Sequence, residues 1–226
     1  YTQNTENGEE ILSGSTVTIL GTETIADANW TSSHEGWTFA GWTTSQDGEE
    51  TYVAGDTTEP LMTSLDLYAK WVKDDTSKKT LKYTVEYYKD GVEVVADKQT
   101  VEKTVWINDS NELTVNQSAI NIIDKYTGYK FEKTEPDTIP EKVDNGYVIK
   151  VYYVKDTYDY TIEYYYDGAK DDNKTESLSA EYNSEITTYI NKNISGYKLD
   201  RVENLPLTIS ATVANNVIKV YYVKDD

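Results

Sequence analysis

Forty acidic residues against twenty-one basic ones make carboxylates the first candidates for chemistry. Paired carboxylates can hydrolyse glycosides and clustered ones can hold Ca²⁺. The densest acidic groups are Asp74 with Asp75, DGAKDD at residues 167–172, and Asp225 with Asp226. None has the spaced oxygen ligands and closing Glu of an EF-hand loop, so solvated turns are the expected role, with a weak calcium site the alternative. The single histidine, His34, lies in a polar SSHEG stretch with no nucleophile motif, and a turn histidine is expected. Lys82, Asn145 and Asn216 raise a further possibility, a Lys–Asn amide cross-link between first and last strands. Asp159 stands where Lys82 would recur, which argues against it. Of the five tryptophans, Trp42 and Trp71 fall on the inward pattern of their segments and read as core rather than as sugar-stacking platforms. No catalytic residue, metal ligand or cofactor is assigned, and an enzyme is not expected.

The elements that carry these residues are organised by repetition. VIKVYYVKD occurs at residues 148–156 and again at 217–225, with a weaker echo, LYAKWVKD, at 67–74. Each copy reads as the closing strand of a small domain. The boundaries are 1–73, a polar linker 74–82, then 83–156 and 157–226. YTVEYYKDG is answered by YTIEYYYDG at an offset of 77, whereas GYKFEKTEP is answered by GYKLDRVEN at an offset of 68. The missing residues lie near Trp106–Leu113, WINDSNEL. Domains this small sit near the lower size limit for an independent core. The chain has no cysteine to supplement that core, so its 21 Tyr and 5 Trp must supply it.

In the first domain, residues 15–20 alternate as a strand, 23–33 form a weak helical or irregular stretch, and 65–72 close the unit with Leu65, Leu67, Ala69 and Trp71 on one face. In the second, residues 116–126 shift to a helical stripe of Ala119, Ile120, Ile123 and Tyr126, capped by Asn116 or Ser118 and stopped at Gly128. The third repeats this with Ser184 as N-cap, Ile186, Tyr189, Ile190 and Ile194 on one face, and Gly196 as the stop.

GWTFAGWTTSQDG, the downstream YVAGD and the closing LDLYAKW resemble the internalin-type B repeat (Listeria–Bacteroides repeat), with the opening strand reduced to Tyr1 and Thr2. The strand with its YxDG-like turn, the GYK after the helical stripe and the closing IKVYYVKD resemble the mucin-binding protein (MucBP) repeat. These resemblances imply an α+β, β-rich fold: three tandem small β-grasp (ubiquitin-like) domains arranged head to tail as an elongated rod. They also imply a Gram-positive surface adhesin, extracellular and anchored to the cell wall by parts outside this stretch. A host mucin glycan or an extracellular protein is then the expected partner, bound weakly if at all, and a purely structural stalk is the alternative.

In such a fold the first and last strands of each domain lie parallel and adjacent. Alternation then points Tyr83, Val85 and Tyr87 inward with Ile149, Val151 and Tyr153, and Tyr160, Ile162 and Tyr164 inward with Ile218, Val220 and Tyr222. The outer face would carry Glu86 and Tyr88 beside Lys150 and Tyr152, and Glu163 and Tyr165 beside Lys219 and Tyr221. Tyr88, Tyr152, Tyr165, Tyr221, Lys150 and Lys219 are therefore the candidate binding residues, as a shallow aromatic platform. The bland alternative is that these ladders simply cover the sheet.

The net charge of −19 argues against nucleic-acid or anionic-membrane partners, which need basic patches, and favours a monomer. No apolar run is long enough to span a membrane. The chain opens in mid-pattern and ends directly after a strand, so it reads as an excised piece of a larger protein.

Overall fold

The structure, a computed structural model, describes residues 3–6, 9–12, 34–49, 52–53, 55–57 and 66–225. The strand expected at 15–20, the helical or irregular stretch at 23–33, Tyr1, Thr2 and Leu65 lie outside the described residues. The chain forms two compact units. One comprises Tyr1–Leu81 with Glu102–Glu112, the other Lys82–Val101 with Leu113–Asp226.

The first unit carries an antiparallel sheet of β1 (Gln3–Glu6), β2 (Glu9–Leu12), β3 (Trp37–Thr43) and β4 (Tyr68–Lys73), in the order β1-β2-β4-β3. Trp42, Leu67, Ala69 and Trp71 form its buried cluster, with Trp37, Phe39 and Tyr52 packed against it. His34 sits edge-on to the Trp71 ring at 4.8 Å. The stretch read as a linker from Asp74 begins as a turn: Asp74 accepts the Thr76 N–H at 2.8 Å and the Ser77 hydroxyl at 2.7 Å. By Lys78 it has become β5 (Lys78–Lys89).

Further along the chain follow β6 (Val92–Glu93), β7 (Gln99–Trp106), β8 (Glu112–Thr114), β9 (Tyr129–Glu135), β10 (Lys142–Asp144) and β11 (Tyr147–Lys155). The last repeat supplies β12 (Thr157–Tyr166), β13 (Ala169–Lys170), β14 (Glu176–Glu181), β15 (Glu185–Ile186), β16 (Tyr197–Glu203), β17 (Leu207–Thr208) and β18 (Val217–Lys224). Two five-stranded sheets share one plan, β6-β5-β11-β9 with β7 also on β5, and β13-β12-β18-β16 with β14 also on β12. In both, the first and last long strands are parallel neighbours: Tyr83 faces Tyr147 and Tyr88 faces Tyr152 in one, Thr161 faces Val217 and Tyr165 faces Tyr221 in the other. The inner face is sealed as alternation requires. Tyr87, Ile149, Val151, Tyr164, Ile218, Val220 and Tyr222 have no exposed surface.

The helices expected at 116–126 and 184–194 are absent, and the α+β β-grasp assignment is corrected to a β-rich fold of several small sheets. Among the described residues, helical structure is limited to the 3₁₀ turns Val95–Asp97, Gln117–Ala119 and Val213–Asn215. Residues 187–194 have no regular secondary structure, and Ile123 and Ile190, two members of the expected stripes, are 69% and 64% exposed.

Two physical reasons account for this. Asn, Thr and Ile are indifferent helix formers, and Asn side chains capture nearby backbone N–H groups. Asn121 Oδ1 takes the Ile123 N–H at 3.0 Å and Asn191 Oδ1 the Asn193 N–H at 2.9 Å. Ser184 does not cap a helix; its hydroxyl donates back to Glu181 O at 2.6 Å. The second reason is the tyrosine-rich inner face, whose hydroxyls need polar partners when buried. A helix would pair most of its backbone groups with one another; these irregular segments leave theirs available. Tyr153 OH donates to Asn121 O at 2.6 Å, Tyr164 OH to Ile190 O at 2.7 Å, and Tyr222 OH accepts the Lys192 N–H at 3.0 Å.

Candidate functional site

The outer face of the parallel strands brings the candidate tyrosines together in pairs. Because Tyr88 and Tyr152 are in register, their rings stack with centroids 4.9 Å apart and planes 22° apart. Tyr165 and Tyr221 repeat this at 4.8 Å and 21°. All four side chains are half-buried.

Each pair is bracketed by carboxylates and cations. Tyr88 OH donates to Glu86 Oε2 at 2.8 Å, and Lys98 Nζ holds the other Glu86 oxygen at 2.6 Å. Tyr165 OH donates to Glu163 at 2.7 Å, and Lys170 holds that carboxylate at 2.8 Å. On the opposite side Tyr152 donates to Glu135 at 2.9 Å and Tyr221 to Glu203 at 3.2 Å. Those acids pair with Lys133 at 3.1 Å and Arg201 at 2.9 Å.

A β-bulge aims the two cations. The register of β9 and of β16 against its neighbour slips by one residue, between Phe131 and Lys133 and between Leu199 and Arg201. Lys133 Nζ then lies 4.9 Å from the Tyr152 ring centre and Arg201 Cζ 3.8 Å from that of Tyr221.

The charges follow from these contacts. Hydrogen bonds from Lys98 and Tyr88 hold Glu86 below its ordinary range, and its carboxylate pushes Tyr88 up to about 12. Burial drives Glu163 upward, but the bonds from Lys170 and Tyr165 outweigh it and the net shift is down. Tyr165 is pushed up to about 12 by Glu163.

The arrangement is a salt-bridged lattice built around two stacked tyrosine pairs. Lys150 Nζ stands 5.9 Å from the Tyr88 ring centre, so Tyr88, like Tyr152 and Tyr221, has both a stacked ring and a cation as neighbours. Lys219 faces Glu163 in register.

A second constellation was not anticipated. Gly128, with φ +82°, directs its hydrogen into the face of Tyr182, so closely that a Cβ there would overlap the ring. Asp156 N–H donates to Gly128 O at 2.9 Å, Tyr182 N–H donates to Asp156 O at 2.8 Å, and Tyr129 meets Tyr182 edge-on at 6.0 Å. The same groups recur in the first unit. Asp74 N–H donates to Gly36 O at 2.8 Å, Trp37 meets Trp106 edge-on at 5.3 Å, and Trp106 Nε1 donates to Asp74 O at 3.0 Å. WINDSNEL, the stretch without a counterpart in the last repeat, thus supplies Trp106, and Asn108 Nδ2 bonds Glu35 O at 2.7 Å. The repeated words VKD and GW or GYK were the available signal. They mark a seat made by a glycine, an aromatic and the aspartate after a closing strand. Beside Gly128 lies a cleft of about 580 Å³ lined by Ile123, Tyr126, Phe131 and Tyr158 among others.

No group of three metal-ligating side chains comes together among the described residues, and Asp167 instead accepts the Lys224 N–H at 3.1 Å. Asn145 Oδ1 accepts the Lys82 backbone N–H at 2.8 Å, and Asn216 Nδ2 donates to Asp159 O at 3.1 Å. Both asparagines tie the start of an opening strand by hydrogen bonds. Trp42 and Trp71 are core residues, 9% and 6% exposed. Among the described residues no helix is long and apolar enough to cross a membrane.

No protein-family model matches the chain, and no curated protein matches it significantly.

Proposed function

We propose that the chain is a non-catalytic repeat region of a bacterial cell-surface adhesin and serves as a stalk that transmits force. The carrying observation is the pairing of β5 with β11 and of β12 with β18: the strand by which the chain enters each sheet and the one by which it leaves are parallel neighbours. Tension applied at the start of one and the end of the other runs along both strands in opposite directions. It shears the whole ladder at once instead of opening its hydrogen bonds one by one. One residue, Asp156, separates β11 from β12, so little slack lies between the two ladders. The resemblance to B and MucBP repeats supports the extracellular setting. The outer lattice favours the stalk over mucin or glycan binding, because each tyrosine already stacks on its partner ring and three of the four also have a cation over the ring.

Single-molecule pulling tests this, and the absence of cysteine lets handles be introduced cleanly. Handles at Lys82 and Lys155 load β5 and β11 in shear; handles at Lys89 and Lys155 peel the same strands apart from one end. A clearly higher rupture force in the first geometry is expected. Equal forces would sink the stalk reading, as would retention of the chain on immobilised mucin that Tyr88→Ala with Tyr165→Ala abolishes.

A further inference from the structure

The seat that Tyr182 fills on Gly128, and that Trp106 fills on Gly36, exists a third time. At the end of the last repeat, Asp225 N–H donates to Gly196 O at 2.9 Å, reproducing the bonds of Asp156 to Gly128 and of Asp74 to Gly36. Gly196 has φ +80°, beside +82° and +89° for the other two. Tyr197 takes the position of Tyr129, and Lys198 pairs with Asp225 at 3.1 Å just as Lys130 pairs with Asp156 at 3.1 Å. The difference is occupancy. Gly128 is buried under the Tyr182 ring and Gly36 under Ile107, Asn108 and Trp106, whereas Gly196 is exposed, with nothing among the described residues within 4 Å of where its Cβ would stand.

We propose that Gly196, Tyr197 and Asp225 form a docking site for an aromatic side chain of another repeat module of this same kind, joined in tandem. Both filled seats identify the occupant. In each, the aromatic follows the seat's own aspartate in the chain, Trp106 after Asp74 and Tyr182 after Asp156. In each it closes with the same pair of contacts: an edge-on meeting with the aromatic next to the glycine, and its ring or neighbouring side chains over the glycine hydrogen. A left-handed glycine is what this close approach requires, since any side chain would fill the space and strain the backbone. At Gly196 no neighbour makes that demand; what sets it apart from other open left-handed glycines such as Gly91, Gly146 and Gly168 is the bond from the aspartate that closes its repeat. Neither force transmission nor a surface setting is needed for the seat to work, so a failed pulling experiment would leave it standing.

The test extends the full chain after Asp226 by a second copy of residues 157–226 and reads the glycine Hα resonances by NMR. Ring currents should place the Gly36 and Gly128 signals well upfield in the unextended chain and leave Gly196 at an ordinary shift. In the extended chain Gly196 should move upfield, and Tyr182→Ala made only in the appended copy should return it. Tyr182→Ala in the unextended chain should likewise release Gly128. The proposal is overturned if Gly196 does not move while Gly128 is upfield, if Gly128 ignores the loss of Tyr182, or if the appended copy fails to fold behind this seat.

Discussion

Glu86 and Lys150 face each other in register across β5 and β11, yet the Glu86 carboxylate closes on Lys98 at 2.6 Å. Lys150 stands over the Tyr88 ring instead. The last repeat does the same with Glu163 and Lys170 at 2.8 Å, although Lys170 is reached by a different spacing along the chain. The acid on each opening strand is thus clamped from outside the parallel pair, and in the second repeat the cation opposite, Lys150, covers an aromatic face.

Removing the clamp and removing the opposite cation should therefore differ. Glu86→Gln is expected to lower stability by about 1 kcal/mol, because a charge-assisted bond to a carboxylate whose side chain is only 12% exposed is lost. Lys150→Met should stay within about 0.5 kcal/mol. Urea denaturation distinguishes them, and equal losses would contradict the assignment.

The carboxylates of the lattice predict the direction of acid sensitivity. Glu86, Glu135, Glu163 and Glu203 are all held below their ordinary value of 4.5 by hydrogen-bonded partners. A group depressed on folding stabilises the fold above its unfolded pKa and loses that contribution as pH falls through its folded one. Stability should hold from neutrality down to about pH 4.5 and decline below it; Asp74, held at about 2 by Ser77 and Thr76, is the last to go. At the other extreme Tyr88 and Tyr165, raised to about 12, stabilise fully below 10 and lose that contribution as pH rises through 12. Denaturation midpoints across pH, with ultraviolet titration of tyrosine, check both limbs.

Tyr222→Phe isolates the bonds that hold the last repeat's extended cover. The hydroxyl accepts the Lys192 N–H at 3.0 Å and donates to Asn191 Oδ1 at 2.7 Å. Its loss should cost about 1–3 kcal/mol, since the Lys192 N–H loses its partner. Faster hydrogen exchange at Lys192, with the ladder of β12 and β18 still protected, is the expected signature.

At the filled seat, Gly128→Ala should cost more than the roughly 1–2 kcal/mol of a left-handed alanine, because its methyl collides with Tyr182. In a Tyr182→Ala background the cost should fall to that backbone component. A double-mutant cycle reads the coupling, and additivity would rule out the contact.

The sequence was most legible where one rule acts alone. Period-2 alternation on two long strands was enough to choose the buried face, because a strand slipped by one residue would expose Tyr83, Val85 and Tyr87 together. The outer tyrosine pairs followed once the strands were taken as parallel. The helical stripes failed for a reason also written in the chain: Tyr87, Tyr153, Tyr164 and Tyr222 carry hydroxyls inside, and backbone groups that a helix would have paired answer them.

By itself, then, the chain determined its repeats and, on the long opening and closing strands, which side is buried, since these depend on local period and apolar burial. Tertiary structure alone decided that Lys98 and not Lys150 clamps Glu86, and that Tyr182 covers Gly128. Such contacts depend on which loops and bulges end beside one another, and side chains separated along the chain meet only when the sheets have formed.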